Sequence, residues 1–128
     1  ESRGVSDENF ITAEDANRGL AALYSGAILP EPYRSDLLDR LVNVKPGLNY
    51  LLAWGTGGRV SHKNGFFPND DGTFVDNDVA IVRFERGDRE YAYAVSFFSD
   101  SVPEKYADIP LGQQISRMVW DYFDHQYP

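Results

Sequence analysis

The stretch RVSHKNGFF, Arg59 to Phe67, decides the fold because it is compatible with two structures. In the first, Asn64-Gly65 is the turn of a hairpin and Lys63 is a solvated residue beside it. In the second, the strand runs on through Gly65, and Lys63 belongs to a site along the strand edge. Only two phenylalanines separate Gly65 from Pro68, which cannot donate to a strand ladder, and NDDG (69–72) is the better turn. We therefore favour the strand edge.

The segment before this stretch predicts helices. Thr12 and Asp15 form a helix-start signature, and Gly26 is a plausible stop for the first helix. A second helix follows LPEP (29–32) and is expected to end near KPG (45–47). The short apolar piece LNYLLAW (48–54) predicts one or two helical turns before the turn GTGG (55–58).

The segment after this stretch predicts strands and then a helix. DVAIVRF (78–84) and REYAYAVSFF (89–98) predict two further strands, and ERGD (85–88) predicts a tight hairpin between them. The final segment predicts an amphipathic helix whose apolar stripe is Ile115, Met118, Val119, Tyr122 and Phe123. The order of elements indicates an α+β fold, with an antiparallel sheet of three strands packed against the N-terminal helices and the C-terminal helix.

One domain accounts for the length of 128 residues. We assign 1–9 to a polar leading segment, 10–54 to helices, 59–98 to the three strands and 110–126 to the C-terminal helix.

Twenty acidic against 12 basic residues give a net charge of −8, which argues against a nucleic acid or an anionic membrane as partner. The absence of cysteine excludes disulfides, thiolate metal sites and a cysteine nucleophile. No apolar run is as long as a membrane span, and no signal peptide is visible.

Several smaller motifs are interpreted as structural. In PNDDGTFVDND (68–78), counting back from Gly72 puts Phe67 where a calcium-binding loop needs its first oxygen ligand, so the loop is a polar connection. GTGG lacks the lysine and serine of a phosphate-binding loop. His62 is expected to face away from Lys63 as a packed or hydrogen-bonded residue, and two distant histidines do not predict a metal site.

Five features in order resemble the C-terminal part of a class A β-lactamase-like serine enzyme, of the penicillin-recognising family. They are ITAEDANRGLAALYSGAIL (11–29), RVSHKNG (59–65), VDNDVAIVRF (75–84), YAYAVSFFSDSVPEK (91–105) and the terminal amphipathic helix. The resemblance covers nearly all of this chain but only about the last half of a family domain. It implies half of a β-lactamase/transpeptidase-like fold, an extracytoplasmic bacterial protein and no cofactor.

The resemblance also implies site residues, with HKNG set against the family's Lys-Thr-Gly box. Lys63 would line the site, attract a substrate carboxylate and polarise a neighbouring hydroxyl. Asn64 stands where the family usually has Thr or Ser, so its amide can donate to the carboxylate but cannot relay a proton as a hydroxyl does. Gly65 would let the substrate approach the strand, and the backbone N–H of Phe66 would be half of the oxyanion hole.

The chain departs from the family pattern in its missing boxes. None of its serines has a lysine three residues later, and neither SDEN (6–9) nor SDS (99–101) is a Ser-Asp-Asn box. The segment between the last strand and the last helix has no arginine for a substrate carboxylate, and the deacylating glutamate is expected before the first helix. The chain is therefore expected to hold one wall of a site without its nucleophile, and to be inactive alone.

The resemblance predicts acyl transfer to serine and hydrolysis of a β-lactam or related amide by the intact parent. The alternative is a non-catalytic, degenerate β-lactamase-like module that binds without turnover. Because the last strand would lack its family neighbours, we expect a homodimer, a domain swap or a second chain carrying the N-terminal half.

Overall fold

The computed structural model describes residues 11–42 and 50–128, and the structural statements below concern those residues. The elements follow the order α1 (Ala13–Tyr24), α2 (Tyr33–Val42), a 3₁₀ turn (Leu51–Ala53), β1 (Arg59–Pro68), β2 (Phe74–Arg86), β3 (Arg89–Phe98) and α3 (Ile109–Gln126). The predicted α+β class is confirmed. The leading segment 1–9 and the predicted end of the second helix near 45–47 lie outside the described residues.

The start of α1 is the predicted capping box. The hydroxyl Oγ1 of Thr12 accepts a hydrogen bond from the backbone N–H of Asp15 at 3.1 Å, and the Asp15 carboxylate accepts from the backbone N–H of Thr12 at 3.5 Å. Each interaction satisfies a backbone donor that the first helical turn leaves free. Gly26 follows the helix with φ of +80°, a left-handed conformation that glycine adopts at low cost.

The sheet has the strand order β1-β2-β3, and both pairs are antiparallel. β1 is one continuous strand in which Asn64 pairs with Asp78 and Gly65 pairs with Asn77, so the hairpin at Asn64-Gly65 is not formed. The chain turns instead after Pro68, where the N–H of Asn69 donates to the Thr73 carbonyl at 2.8 Å. The β2–β3 hairpin closes through Gly87 and Asp88, as predicted.

Helices cover both faces of the sheet. On one face, α3 and the 3₁₀ turn pack on the larger core, which includes Leu51, Leu52, Ala80, Val82, Tyr93 and Phe97. On the other face, α1 and α2 pack on a smaller core that contains Leu23, Leu38 and Ile81. The alternation of large and small residues along β3 serves this arrangement, since Ser96 on the small-residue side donates to the Asn17 side chain of α1 at 2.8 Å.

The helix α3 is rotated relative to the predicted stripe. Ile115, Val119 and Phe123 pack on the core together with Trp120, but Met118 is 70% exposed and Tyr122 is 60% exposed. The predicted amphipathic helix is present, but two residues of its predicted stripe, Met118 and Tyr122, do not pack on the core. Trp120, which is not in the predicted stripe, packs closely against Gly57, Gly58 and Phe84.

Candidate active site

The candidate site lies along the outer edge of β1. Among the described residues, β1 pairs only with β2, so its other edge has no strand partner. Lys63 is exposed on this strand, and its ammonium donates to the backbone carbonyl of Asn64. No carboxylate of the described residues forms an ion pair with Lys63, although the chain is strongly acidic. The strand thus offers a cation at an open edge.

The inner side of the same strand is held by a buried polar cluster. His62 is 5% exposed, and its Nδ1 lies 3.1 Å from Oδ1 of Asp78, which is fully buried. Oδ2 of Asp78 also accepts the backbone N–H of Leu52 at 3.1 Å. His62 therefore faces away from Lys63 and is hydrogen-bonded, as the sequence predicted. Asp78 connects β1, β2 and the 3₁₀ turn through one carboxylate.

The 3₁₀ turn behind the site is fixed by α3. Ser116 Oγ donates to the Leu52 carbonyl at 2.8 Å, and both residues are almost completely buried. Leu51 has φ of +53°, which is strained for a residue with a side chain. Its side chain lies against Gly112, where an added Cβ would come within 2.5 Å of Leu51 Cδ2. Close packing on both sides holds this turn in position behind β1.

Gly65 stands at an open point of the strand. A Cβ built on Gly65 would meet no atom of the described residues within 4 Å, and its φ is not in the left-handed region. Neither packing nor backbone conformation therefore requires glycine here. No described residue blocks the approach of a molecule to this side of the strand.

Asn64 and Phe66 lie on the side of β1 that faces α3. The Asn64 side chain is buried, with 8% of the residue exposed, so the structure places it within the sheet packing. The Phe66 ring stacks on Phe74 at a centroid distance of 5.5 Å and contacts Tyr106 at 5.0 Å. The four predicted site residues are thus consecutive on one strand, with Lys63 and Gly65 exposed and the other two turned inward.

The sequence did not predict that Lys105 and Tyr106 contact β1. Both residues lie in the segment between β3 and α3 and pack against Phe66. The Lys105 ammonium lies 5.1 Å from the ring centroid of Phe66 and 4.9 Å from that of Tyr106, a cation–π arrangement. Tyr106 has φ of +66°, a strained value. No periodicity in 99–108 signals this contact, although a lysine beside a tyrosine was visible in the sequence.

Other kinds of site find no support in the described residues. No group of three or more histidine, cysteine or acidic side chains within 11–42 and 50–128 is arranged to hold a metal ion. None of the helices described is both long enough and apolar enough to cross a membrane. What these residues offer chemically is an exposed ammonium and a strand edge, backed by a rigid buried cluster.

Solved structures similar to this chain include class A and extended-spectrum β-lactamases. The TLA-3 extended-spectrum β-lactamase has a TM-score of 0.74 at 24% identity over 88% of this chain, and the TLA-1 enzyme has 0.72 at 25% over 88%. A class A β-lactamase from Bacteroides cellulosilyticus DSM 14838 has 0.71 at 23% over 89%. The chain spans 41%, 41% and 42% of those three proteins, about two fifths of their length. A search of curated proteins finds no match.

The sheet with its covering helices defines part of a β-lactamase-like α+β domain. Residues 1–123 match the model of the beta-lactamase enzyme family, and the chain belongs to that family. The resemblance inferred from the five sequence features is thereby confirmed.

Proposed function

We propose that this chain is the C-terminal part of a β-lactamase-like serine hydrolase that opens a β-lactam or related amide by acyl transfer to serine, followed by hydrolysis. The observation that carries the proposal is the continuous strand β1, which bears Lys63 and Gly65 at an edge without a strand partner among the described residues. The nucleophile is not among these 128 residues, because no serine precedes a lysine at the required spacing.

The roles follow from the chemistry of each group. The Lys63 ammonium attracts the substrate carboxylate and stabilises negative charge near the reacting hydroxyl. Gly65 lets the substrate lie against the strand, and the Phe66 backbone N–H donates to the oxyanion. Lys105 is held on the rings of Phe66 and Tyr106 and adds a second positive charge near the same end of the strand. Asn64 donates an amide N–H to the substrate carboxylate when its side chain is turned toward the ligand.

The rest of the domain is the expected partner of this chain, as a second chain, a swapped copy or a dimer mate. Leu111, Met118 and Tyr122 expose more than half of their surfaces on α3, which favours cover by another element. Beyond β3, no strand of the described residues completes the sheet, so that edge is available for pairing. The proposed location is extracytoplasmic.

One observation favours the alternative of a non-catalytic binding module. Asn64 replaces the hydroxyl residue of the Lys-Thr-Gly box, and the structure buries it on the side facing α3. A buried amide neither relays a proton nor readily reaches a ligand. In this alternative, the strand edge binds an amide ligand without covalent chemistry.

The proposal is tested on the protein encoded by the complete gene, together with any partner chain that copurifies. After incubation with a penicillin, denaturing intact-mass spectrometry is expected to show one added penicillin mass, located by peptide mapping on a serine outside these residues. Hydrolysis then removes the adduct with time. Saturable penicillin binding without an adduct would support the binding module instead, and an adduct on a serine of this chain would contradict the assignment of the missing nucleophile.

Gly65→Ala is expected to show whether Gly65 is needed for substrate to bind or for the stability of the fold. The added Cβ meets open space, so the free energy of unfolding should change by less than about 1 kcal/mol. Penicillin acylation should fall at least about tenfold, because the methyl group occupies the approach path of the substrate. Stopped-flow acylation and urea unfolding measure the two effects. Gly19→Ala in α1, also with open space around its Cβ, is the control and should leave acylation unchanged; unchanged acylation in Gly65→Ala would remove Gly65 from the site.

A further inference from the structure

A cavity of about 320 Å³ opens at the start of β1, whereas the candidate active site lies further along that strand. The cavity lies where the two ladders of the sheet differ in length. The β1–β2 ladder ends at the pair of Arg59 and Arg83, but the β2–β3 ladder continues to Arg86 and Arg89. The volume is within the range of cavities that hold small molecules. The proposed catalytic roles use none of the residues that line it.

Two glycines form one wall of this cavity. Gly57 and Gly58 pass beside the end of β2 without joining the ladder. A Cβ on Gly57 would come within 2.7 Å of Trp120 Cζ2, and a Cβ on Gly58 would come within 2.7 Å of Val82 Cγ1. Only glycine lets the backbone lie this close to those side chains, so close packing fixes the position of the wall.

One end of the cavity is positively charged. Arg59 and Arg83 lie directly opposite each other on β1 and β2, and both pair with the same oxygen, Oδ1 of Asp39, at 3.1 and 3.4 Å. Two guanidinium groups therefore share one carboxylate. The Arg83 side chain is 12% exposed and donates to Ser61 Oγ at 3.3 Å, which holds it in place. A ligand carboxylate would supply the second negative charge.

The other end of the cavity is negatively charged. Glu85 and Glu90 are exposed and lie opposite each other in the β2–β3 ladder. Glu90 accepts a hydrogen bond from the Tyr24 hydroxyl at 2.7 Å, and neither glutamate forms an ion pair in the part of the chain that the structure describes. Arg86, the third arginine of the lining, pairs with Asp124. Like charges directly opposite each other are unfavourable, and an ammonium between the two glutamates would relieve the repulsion.

Both charged pairs lie on the same face of the sheet. Arg83 and Glu85 are two residues apart on β2, so their side chains point to the same side from backbone positions about 7 Å apart. The contacts with Asp39 of α2 and Tyr24 of α1 identify this as the face that α1 and α2 cover. A molecule in the cavity would therefore meet a positive end and a negative end at a spacing of two strand residues.

We propose that this cavity binds a small zwitterion, with its carboxylate on Arg59 and Arg83 and its ammonium between Glu85 and Glu90. The class of ligand is an ω-amino acid, because the two charges of an α-amino acid lie closer together than the two charged pairs of the cavity do. The residues of this site are not those of the strand edge that carries Lys63. The inference therefore depends neither on acylation nor on hydrolysis by this protein.

The probe for the site is δ-aminovalerate, whose extended chain separates its two charges by a distance similar to that between the charged pairs. Valerate and pentylamine are matched controls, because each keeps the five-carbon chain and only one of the charges. Titration of the complete protein, followed by amide chemical shifts in nuclear magnetic resonance spectra, should show saturable changes at Gly57, Gly58 and Glu85. The dissociation constant of δ-aminovalerate should be at least about fivefold lower than that of either control.

Two variants each remove one charge, at opposite ends of the cavity. Arg59→Gln should weaken the binding of both δ-aminovalerate and valerate about fivefold, since both ligands place a carboxylate there. Glu85→Gln should weaken the binding of δ-aminovalerate by a similar factor but should not weaken that of valerate. Both side chains are exposed, so neither substitution should unfold the protein. Arg89→Gln, at the same hairpin but outside the lining, is the control and should change neither affinity.

A complete protein that shows no saturable chemical-shift change with δ-aminovalerate would overturn the site. Equal affinities for δ-aminovalerate and valerate would also overturn it, because the glutamates would then have no part in binding. The same holds for shifts centred on Lys63 instead of Gly57 and Gly58, which would place the ligand at the strand edge, and for wild-type affinity in Arg59→Gln. None of these results would bear on penicillin acylation, so this inference and the proposed function fail separately.

Discussion

Asp78→Ala is expected to lower the free energy of unfolding by about 3 to 5 kcal/mol. The carboxylate is fully buried and accepts the Leu52 N–H at 3.1 Å, with His62 Nδ1 at 3.1 Å from its other oxygen. Alanine would leave two buried donors without their acceptor and would open a small cavity between β1, β2 and the 3₁₀ turn. Urea unfolding of the complete protein, followed by circular dichroism and tryptophan fluorescence, measures the loss.

Asp39→Ala is the matched control for this experiment. Asp39 also pairs with two side chains from the sheet, Arg59 at 3.1 Å and Arg83 at 3.4 Å, but its side chain is 54% exposed. Water and salt screen such pairs, so the loss should stay within about 1 kcal/mol. A loss below about 1 kcal/mol for Asp78→Ala would mean that the buried cluster does not fix the strand behind the candidate site.

Lys63→Ala is expected to lower the rate of acylation by penicillin by about 10²- to 10³-fold, provided that the complete protein acylates. Among the described residues, the outer edge of β1 has no strand partner, and the Lys63 ammonium donates a hydrogen bond to the carbonyl of Asn64. Its removal should therefore cost little stability while it takes away charge that the developing oxyanion and the substrate carboxylate need. Lys63→Arg keeps the charge but changes its reach, and should recover part of the rate.

Arg89→Ala controls for a general loss of positive charge. Arg89 begins β3 at the hairpin end and, within the part of the chain described, forms no ion pair; its guanidinium lies 5.9 Å from the Tyr91 ring centroid. Its replacement should leave the acylation rate within about twofold. If wild type and Lys63→Ala are acylated by penicillin at equal rates, Lys63 takes no part in acylation and is a solvated surface residue.

Features that depend on neighbouring residues were predictable from the sequence. The Thr12 capping box, the Gly87-Asp88 hairpin and the alternation along β3 each follow from contacts a few residues apart. The course of β1 was also predictable, because Pro68 and the turn that follows it leave too little chain for a strand after Asn64-Gly65. For these features, the identities of nearby residues were sufficient to predict the local structure.

Features that depend on distant residues were not predictable. The contact of Lys105 with Phe66 joins residues far apart in sequence, and its geometry depends on a strained Tyr106. Trp120 of α3 packs against Gly57 and Gly58, and helical periodicity alone does not encode that contact. Asp76 falls in the polar connection 68–78 predicted from the sequence, whereas the structure buries it on β2, with Ser99 hydrogen-bonded to its backbone.

The antiparallel order β1-β2-β3 also has a consequence for how the chain folds. Every strand pair joins sequence neighbours, the first through Asn69–Thr73 and the second through Gly87 and Asp88. Short loops lose little entropy on closure, and sheets built from adjacent strands have low contact order. We expect the three strands to form an early nucleus, around which α1 and α3 dock later, so that mutations in the β2–β3 hairpin slow folding while those in α3 mainly speed unfolding.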